Sequence, residues 1–420
     1  MSSVKFNLFS WELLRRDWRD IDLFLIFIPV ALTIVGAIAI HSSAINYSNL
    51  NSYWLQHLII GGIGLFIVMS LARWQYQQLL HLHWITYFIT NVFLALVLVG
   101  GTSANGAQSW LTIGEFNFQP SEFAKVGVII TLAALLHKHP IKQPSDIVQV
   151  IWPLLLPCAL IMKQPDLGTF LVFCAIALGM LYWGGTNLGW ILLIISPLIS
   201  LILFSVFIPA WLGWVGLMGI VAWRTLPWMR VVGFLSAVAV NLVSAQVGTF
   251  VWSLLHDYQK KRLLLFLDPT QDPLDGGYHL IQSRIAIGAG KIWGRGIMHG
   301  TQTQLSFIPE QHTDFIFSAI GEEMGLVGSM LVLIAFLGIC WRLLVIAVKS
   351  KDNFGSLLVI GVFSMVLFQA TINIGMTIGV APITGIPLPW LSYGRSALLT
   401  NFIALGLVES VAAHRRMIKF

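Results

Sequence analysis

"IPEQHTDFIFSAIGEEMG", Ile308 to Gly325, is the stretch whose reading decides the fold. A carboxylate, a histidine, a threonine and a second carboxylate fall within Glu310 to Asp314, and the chain then stays largely apolar to Trp341. A run of that length can cross the hydrocarbon of a bilayer as a helix. Ionisable groups at its lip need a reason, because burial penalises charge. The rest of the chain has the same character. Of 420 residues, 57% are hydrophobic and 10% charged, with a mean hydropathy of +0.82. Soluble domains carry about 25% charged residues, so the composition excludes a soluble globular protein and predicts a polytopic membrane protein. In lipid only helices and closed barrels satisfy the backbone, and these runs lack barrel alternation. The expected fold is therefore all-α.

Working outward from 315–341, further spans are expected near 21–42, 54–72, 85–101, 121–137, 147–162, 167–184, 188–208, 211–223, 231–255, 357–378 and 395–413. The run at 211–223 is short enough to be re-entrant instead. The first run follows a basic N-terminus, as a signal peptide would, and Ala37-Ile38-Ala39 mimics a cleavage site. It is too long for a typical signal core and reads as a retained span. Cys158, Cys174 and Cys340 lie in apolar runs without CxxC spacing and read as small core residues. No internal repeat of the transporter type is visible.

Lys and Arg in short loops orient the chain. With the N-terminus in the cytoplasm, that side holds Lys5, Arg15, Arg16, Arg19, Arg73, Lys138, Lys142, Arg224, Arg230, Arg342, Lys349, Lys351, Arg415, Arg416 and Lys419. The loops opposite, 43–53 and 102–120, hold none. Arg224 and Arg230 flank the turn after 211–223, which favours a crossing there. The large outer loop, 256–313, breaks the pattern with Lys260, Lys261, Arg262, Arg284, Lys291 and Arg295 among many glycines. It is either a solvated loop or the cradle of an anionic ligand. Its "GAGKIWGRG" is not a Walker motif, since no Ser or Thr follows Lys291.

Polar groups in or beside spans are the best pointers to function in a membrane protein. Thr313 can cap a helix that Asp314 begins, an acid favoured there by the helix dipole; alternatively Asp314 is a base, strengthened by partial withdrawal from water. Ser318, Gly321 and Gly325 share its face, leaving room for a close helix or a lipid chain. In "NGAQSWLTIGEFNFQPSEFAK", Asn105 to Lys125, a loop leads to a helix starting at Pro120-Ser121. Glu122 and Lys125 stand three apart and can pair within the membrane, as a structural ion pair or a functional one. Trp110 suits an interfacial anchor or a sugar platform. "KQPDLGT", Lys163 to Thr169, is a tight outer hairpin or places Asp166 in a cavity. Tyr278 to Ile287 could form an amphipathic helix on the membrane surface, presenting Gln282 and Arg284. "GIPLPWLSYGRSALL", Gly385 to Leu399, is an irregular entry to the last span, which must be buried in protein or line a cavity.

"QPSEFAK", "QPDLGT", "YHLIQSRIAIGAG", "GTQTQLSFIPEQHTDFIFSAIGEEMG" and "PLPWLSYG" occur in this order. Together they resemble the SEDS family of bacterial cell-wall polymerases, and the "GTQTQLSFIPE" form is nearer its RodA branch than its FtsW branch. The motifs reach from about Trp110 to Ser396. The resemblance implies a bundle of ten transmembrane helices. The region 185–255 is longer by about one hydrophobic hairpin, placed at 211–255, which makes about 12 spans in a single membrane domain, 1–420. It implies a peptidoglycan glycosyltransferase of the bacterial cytoplasmic membrane, both termini inside and the active site on the outer face. The substrates are lipid II and the growing glycan strand, and the partners a class B penicillin-binding protein and other elongation-complex membrane proteins; no nucleic acid is expected. The family's essential aspartate maps to Asp314 and its second important acid to Asp166. Its loop tryptophan maps to Trp110 and its charged pair to Glu122 and Lys125. Gln282, Arg284, Gln302, Glu310, His312, Thr313 and Arg395 complete the expected substrate contacts. Arg395 stands where the family usually has glycine. Asp314 would act as general base on the acceptor hydroxyl, with inversion in one step and undecaprenyl diphosphate leaving. No cofactor is required by this scheme, though a divalent cation (Mg or Mn) would suit the diphosphate. A lipid II flippase and a non-catalytic scaffold are the competing readings; a scaffold has no use for an acid at Asp314.

Overall fold

Helices lie over every expected span. The structure, a computed structural model, describes residues 21–44, 52–104, 107–113, 116–226, 230–254, 276–305, 307–308 and 310–414. Lys5, Arg15, Arg16, Arg19, Lys260, Lys261, Arg262, Arg415, Arg416 and Lys419, which entered the charge reading, lie outside the described residues. The helices are α1 (Leu23–Ala44), α2 (Tyr53–Arg73), α3 (Gln78–Gly100), α4 (Pro120–Lys138), α5 (Val148–Lys163), α6 (Leu167–Trp183), α7 (Leu188–Val206), α8 (Ile208–Thr225) and α9 (Arg230–Leu254). After them come α10 (Gly276–Ala289), α11 (Thr301–Gln304), α12 (Ile316–Val348), α13 (Asn353–Ile378) and α14 (Arg395–His414). Among the described residues, nine helices are long and apolar enough to cross a membrane; α6 and Arg230–Ser244 are shorter apolar helices.

The two least apolar of the nine helices are the most buried. They are α4 and α14, and 89% and 83% of their most apolar 18-residue stretches are buried inside the protein. Their sequences are rich in Gly, Ala, Ser and Thr, which let backbones approach closely where lipid offers no hydrophobic drive. α3 and α7 are only 22% and 17% buried and turn Leu, Ile, Phe and Val outward to lipid. The two ends of the bundle are tied separately. At one end Arg342 Nε donates to Asp22 Oδ2 at 2.6 Å, while the Asp22 amide donates to Glu409. The other end carries the candidate site.

Three local outcomes differ from the sequence reading. The 102–120 loop contains a small antiparallel sheet in the order β1 (Thr102–Ala104), β2 (Ala107–Ile113), β3 (Phe116–Phe118). Its strands are short and lie in a Gly- and Asn-rich stretch, so no apolar periodicity announces them. The run counted as a crossing at 211–223 is an 18-residue helix, roughly 27 Å long at 1.5 Å per residue, but it is not among the nine apolar enough to span. It pairs with α9 against α7 around Trp211 and Val215, apart from the main core. Within this trio Ser196 Oγ meets Asn241 Oδ1 at 2.6 Å, and Trp211 Nε1 donates to Ser200 Oγ at 2.8 Å. Such bonds bind helices where water cannot compete. Finally, α12 is broken. Gly325 has φ 66° and ψ −160°, and the turn after α10 fills the break. Leu326 and Val327 amides donate to Lys291 O and Ile292 O at 2.9 and 3.1 Å, and Arg295 and Gly296 amides donate to Glu322 O and Glu323 O at 3.0 Å. The "GAGKIWGRG" stretch thus satisfies backbone groups that the break exposes.

Candidate functional site

Asp314 lies in the turn before α12, whose first residue is Ile316. This corrects the expected cap: the helix begins later, no side chain caps it, and Thr313 Oγ1 instead donates to Glu310 O at 3.1 Å and Glu310 Oε2 at 3.2 Å. Glu310 takes a positive φ of 51° to close that turn. The Asp314 carbonyl is held from behind, because Asn373 Nδ2 on α13 donates to it at 2.9 Å and to Ile386 O at 2.8 Å. The Asp314 side chain is half-buried, neither sealed in the bundle nor fully in water.

An aromatic wall stands beside it. Tyr53 at the start of α2 stacks on Tyr393 with ring centroids 4.3 Å apart and planes 2° off parallel. His312 leans on both rings at 5.6 and 6.1 Å. The Tyr393 amide donates to His312 O at 2.9 Å, and its hydroxyl donates to Gln56 Oε1 at 2.7 Å. Burial lowers the His312 pKa, opposed by the Glu310 carboxylate 4.0 Å away. Burial also pushes the Tyr393 hydroxyl up to about 12, with the neighbouring Arg395 cation pulling the other way. Arg395 is the first residue of α14 and is half-buried.

Small residues on the Asp314 side of α12 receive a helix. Leu280, Ser283 and Ala286 of α10 are buried against α12 and α13. Ser283 Oγ meets Ser318 Oγ at 2.6 Å and donates to Thr377 O at 2.7 Å. A Cβ on Gly290 would fall 1.9 Å from Gly321 O, so glycine is required there. The expected surface helix is therefore docked into the bundle, because its apolar and small residues share one face. Of its polar residues, Arg284 is exposed and donates from Nη2 to Gly379 O at 3.0 Å. Gln282 is half-buried, and its Oε1 has no hydrogen-bond partner among the described residues.

The glutamates deeper in α12 are satisfied. Glu322 is completely buried and accepts from the Gln302 and Thr303 amides, both at 2.8 Å, and from the hydroxyls of Thr303 at 2.6 Å and Thr301 at 3.2 Å. Gln302 therefore enters through its backbone. Glu323 accepts from Ser42 Oγ of α1.

A second group links the other motifs. Asp166 is the N-cap of α6, accepting from the Thr169 amide at 2.9 Å and the Thr169 hydroxyl at 2.8 Å. Ser121 Oγ and Gln119 Nε2 reach the same carboxylate at 3.3 and 3.4 Å, and the Gln119 amide donates to Ser396 Oγ beside Arg395 at 3.0 Å. Glu122 and Lys125 form the expected pair at 2.7 Å, sealed among helices with side chains 4% and 1% exposed. Trp110 sits half-buried on β2, opposite Thr102. The segment 385–394 is buried as expected: Ile386, Leu388, Trp390 and Leu391 are all under 4% exposed. A Cβ on Gly36 of α1 would fall 2.5 Å from Leu391 O.

Asn373, Tyr53 and Gln56 were missed in the sequence. An asparagine in the interior of an apolar span is itself a signal; Tyr53 and Gln56 read as an ordinary span start. Among the described residues, no group of three or more His, Cys, Asp or Glu side chains converges to hold a metal.

Comparison with known proteins agrees with this layout. The chain matches the model of the cell cycle protein family FtsW/RodA/SpoVE over residues 22–215 and 212–417. It is 33% identical to the peptidoglycan glycosyltransferase MrdB of Escherichia coli K12 over 396 residues, 93% of this chain and 94% of the relative. It is 35% identical to the peptidoglycan glycosyltransferase RodA of Treponema pallidum, covering 95% and 99%, and 31% identical to the stage V sporulation protein E of Bacillus subtilis, covering 94% and 98%. A solved chain from a peptidoglycan synthase complex that coordinates polymerization and crosslinking superposes with a TM-score of 0.70 at 28% identity, covering 96% of this chain and all of the other. RodA of Thermus thermophilus shares the fold at 23% identity, with a TM-score of 0.62 and 96% and 99% coverage. Matching across nearly the whole length means that the chain belongs to the FtsW/RodA/SpoVE family of cell cycle proteins.

Proposed function

We propose that this multi-pass membrane protein is a peptidoglycan glycosyltransferase that polymerises lipid II into β-1,4 glycan strands during cell-wall elongation. The names of the MrdB and RodA relatives support the activity, and the RodA-like "GTQTQLSFIPE" supports elongation. The observation that carries the mechanism is the placement of Asp314: half-exposed, its backbone pinned by Asn373, beside the wall of Tyr53, His312 and Tyr393.

In this reading that end of the bundle faces outward and both termini lie in the cytoplasm. Asp314 takes the proton of the acceptor's 4-hydroxyl. The oxygen bonds to C1 of the donor sugar while the bond from C1 to the diphosphate oxygen breaks, and undecaprenyl diphosphate leaves with the electron pair. One displacement inverts the anomeric centre, so no enzyme nucleophile is needed. The tyrosine faces suit a sugar ring, and Arg284 and Arg395 supply cations for the diphosphate. Gln282, Gln302, Glu310, His312 and Thr313 border the acceptor. Trp110 and Asp166 shape the neighbouring wall, and the Glu122–Lys125 pair supports it from within the bundle. A class B penicillin-binding protein is the proposed partner, in keeping with the structural likeness to a synthase complex.

The test uses purified protein and its transpeptidase partner with labelled lipid II in detergent, where no membrane sidedness exists. Wild type should give glycan ladders, which a flippase would not. A general base contributes about 10²–10⁴-fold, so Asp314→Asn should lose that much rate while eluting as a folded protein. Normal ladders from the variant would overturn the role.

A further inference from the structure

The packed helices α8 and α9 carry arginines at their facing chain ends, Arg224 in the last turn of α8 and Arg230 as the first residue of α9. Both are exposed, and neither makes a hydrogen bond or ion pair among the described residues. Arg224 lines an open groove of about 240 Å³ together with Ile220, Trp223 and Phe234. The Trp223 and Phe234 rings meet edge to face, with centroids 6.4 Å apart. Phe234 lies against Gly219, where a Cβ would stand 2.6 Å from its ring.

We propose that this groove binds an anionic phospholipid, its phosphate between Arg224 and Arg230 and part of one acyl chain between Trp223 and Phe234. The groove is below the ~300–1,000 Å³ of drug-sized sites and open rather than enclosed, which suits a chain continuing into the bilayer. Its chemistry is amphiphilic: guanidinium groups at the helix ends, where membrane meets water, with the Trp223 and Phe234 rings beside them. A soluble phosphate would use the cations and leave the groove empty. A zwitterionic lipid would fill the groove, but its own ammonium would offset the attraction. The site belongs to the hairpin α8–α9 and is independent of the chemistry at Asp314.

Native mass spectrometry of the full-length protein, titrated with phosphatidylglycerol or phosphatidylcholine, tests this. Wild type should retain phosphatidylglycerol preferentially, and excess inorganic phosphate should not displace it. The double variant R224Q/R230Q should lose roughly ten- to thirty-fold in phosphatidylglycerol affinity, the effect of two cations at a membrane surface. R224K/R230K should keep most of it. Equal retention of the two lipids by wild type, displacement by phosphate, or unchanged affinity in the glutamine variant would overturn the proposal. If the glutamine variant does not fold, a photoactivatable phosphatidylglycerol on wild type decides: labelling at Trp223 or Phe234 supports the site, and labelling confined to other helices overturns it.

Discussion

Gly325 and Gly294 meet backbone to backbone: a Cβ on Gly325 would lie 2.3 Å from the Gly294 amide nitrogen, and one on Gly294 would lie 2.1 Å from Glu323 O. Both residues have positive φ, 66° and 81°. This contact anchors the outer turn in the break of α12. It also explains how a 33-residue helix, roughly 50 Å if straight, belongs to a bilayer core of about 30 Å. The part before the break holds Glu322 and Glu323 against the bundle end, and the part after it, to Val348, is long enough to span.

Gly325→Ala should therefore lower stability by at least ~2 kcal/mol. The conformation at φ 66°, ψ −160° is open almost only to glycine and costs another residue about 1–3 kcal/mol, before the clash with Gly294 is counted. Gly288→Ala is the control, since nothing lies within 4 Å of its Cβ and helix propensity favours alanine. Thermal unfolding followed by size-exclusion chromatography should separate the two; equal midpoints would refute the account of the break.

Glu322→Gln should loosen residues 301–304. The carboxylate accepts four hydrogen bonds in full burial, and an amide can accept on only one of its two heads. Leaving buried donors unsatisfied costs about 1–3 kcal/mol. Hydrogen exchange should speed at the Gln302 and Thr303 amides while α4 stays protected. Unchanged exchange there would show that Glu322 is not what holds α11.

Features set by composition were legible in the sequence. Spans followed from hydropathy, the Glu122–Lys125 pair from its spacing, the start of α4 from Pro120, and burial of 385–394 from the rule that irregular backbone cannot face lipid. Features set by long-range partners were not. Asn373 reaches the Asp314 carbonyl across 59 residues, and Glu322 caps a helix about 20 residues upstream. Neither partner can be read from a local pattern. Asp314 drew attention as an acid at a helix start, yet the turn through Glu310 delays α12 to Ile316, because Thr313 bonds backward to Glu310. The fate of α10 depended on which neighbour its small face met, and either a membrane surface or a helix would accept that pattern.

The protein should lose stability in acid partly through His312. Its folded pKa lies below the ordinary 6.5, because burial against the stacked Tyr53 and Tyr393 disfavours the imidazolium. As pH falls through about 6.5 the unfolded chain takes up a proton that the folded site resists, so this contribution is present above that pH and lost below it. Melting midpoints measured from pH 8 to pH 5 should fall less steeply for His312→Gln than for wild type. Parallel curves would remove His312 from the account.

Asp166 allows a test that separates position from charge. Its carboxylate caps α6 through Thr169 and draws Ser121 and Gln119 of the α4 entry toward the same point. Asparagine is as good an N-cap as aspartate, whereas alanine at such a position costs about 0.5–2 kcal/mol. Asp166→Asn should therefore melt close to wild type and Asp166→Ala clearly lower. If Asp166 serves only to join α4 to α6, glycan ladders from Asp166→Asn should match wild type, and Asp166→Ala should regain activity on cooling. If its charge acts on substrate, Asp166→Asn should lose polymerisation at full stability. Comparing kcat and KM for lipid II then locates the loss: a raised KM alone means binding shared by ground and transition states, and a lowered kcat means an interaction made in the transition state.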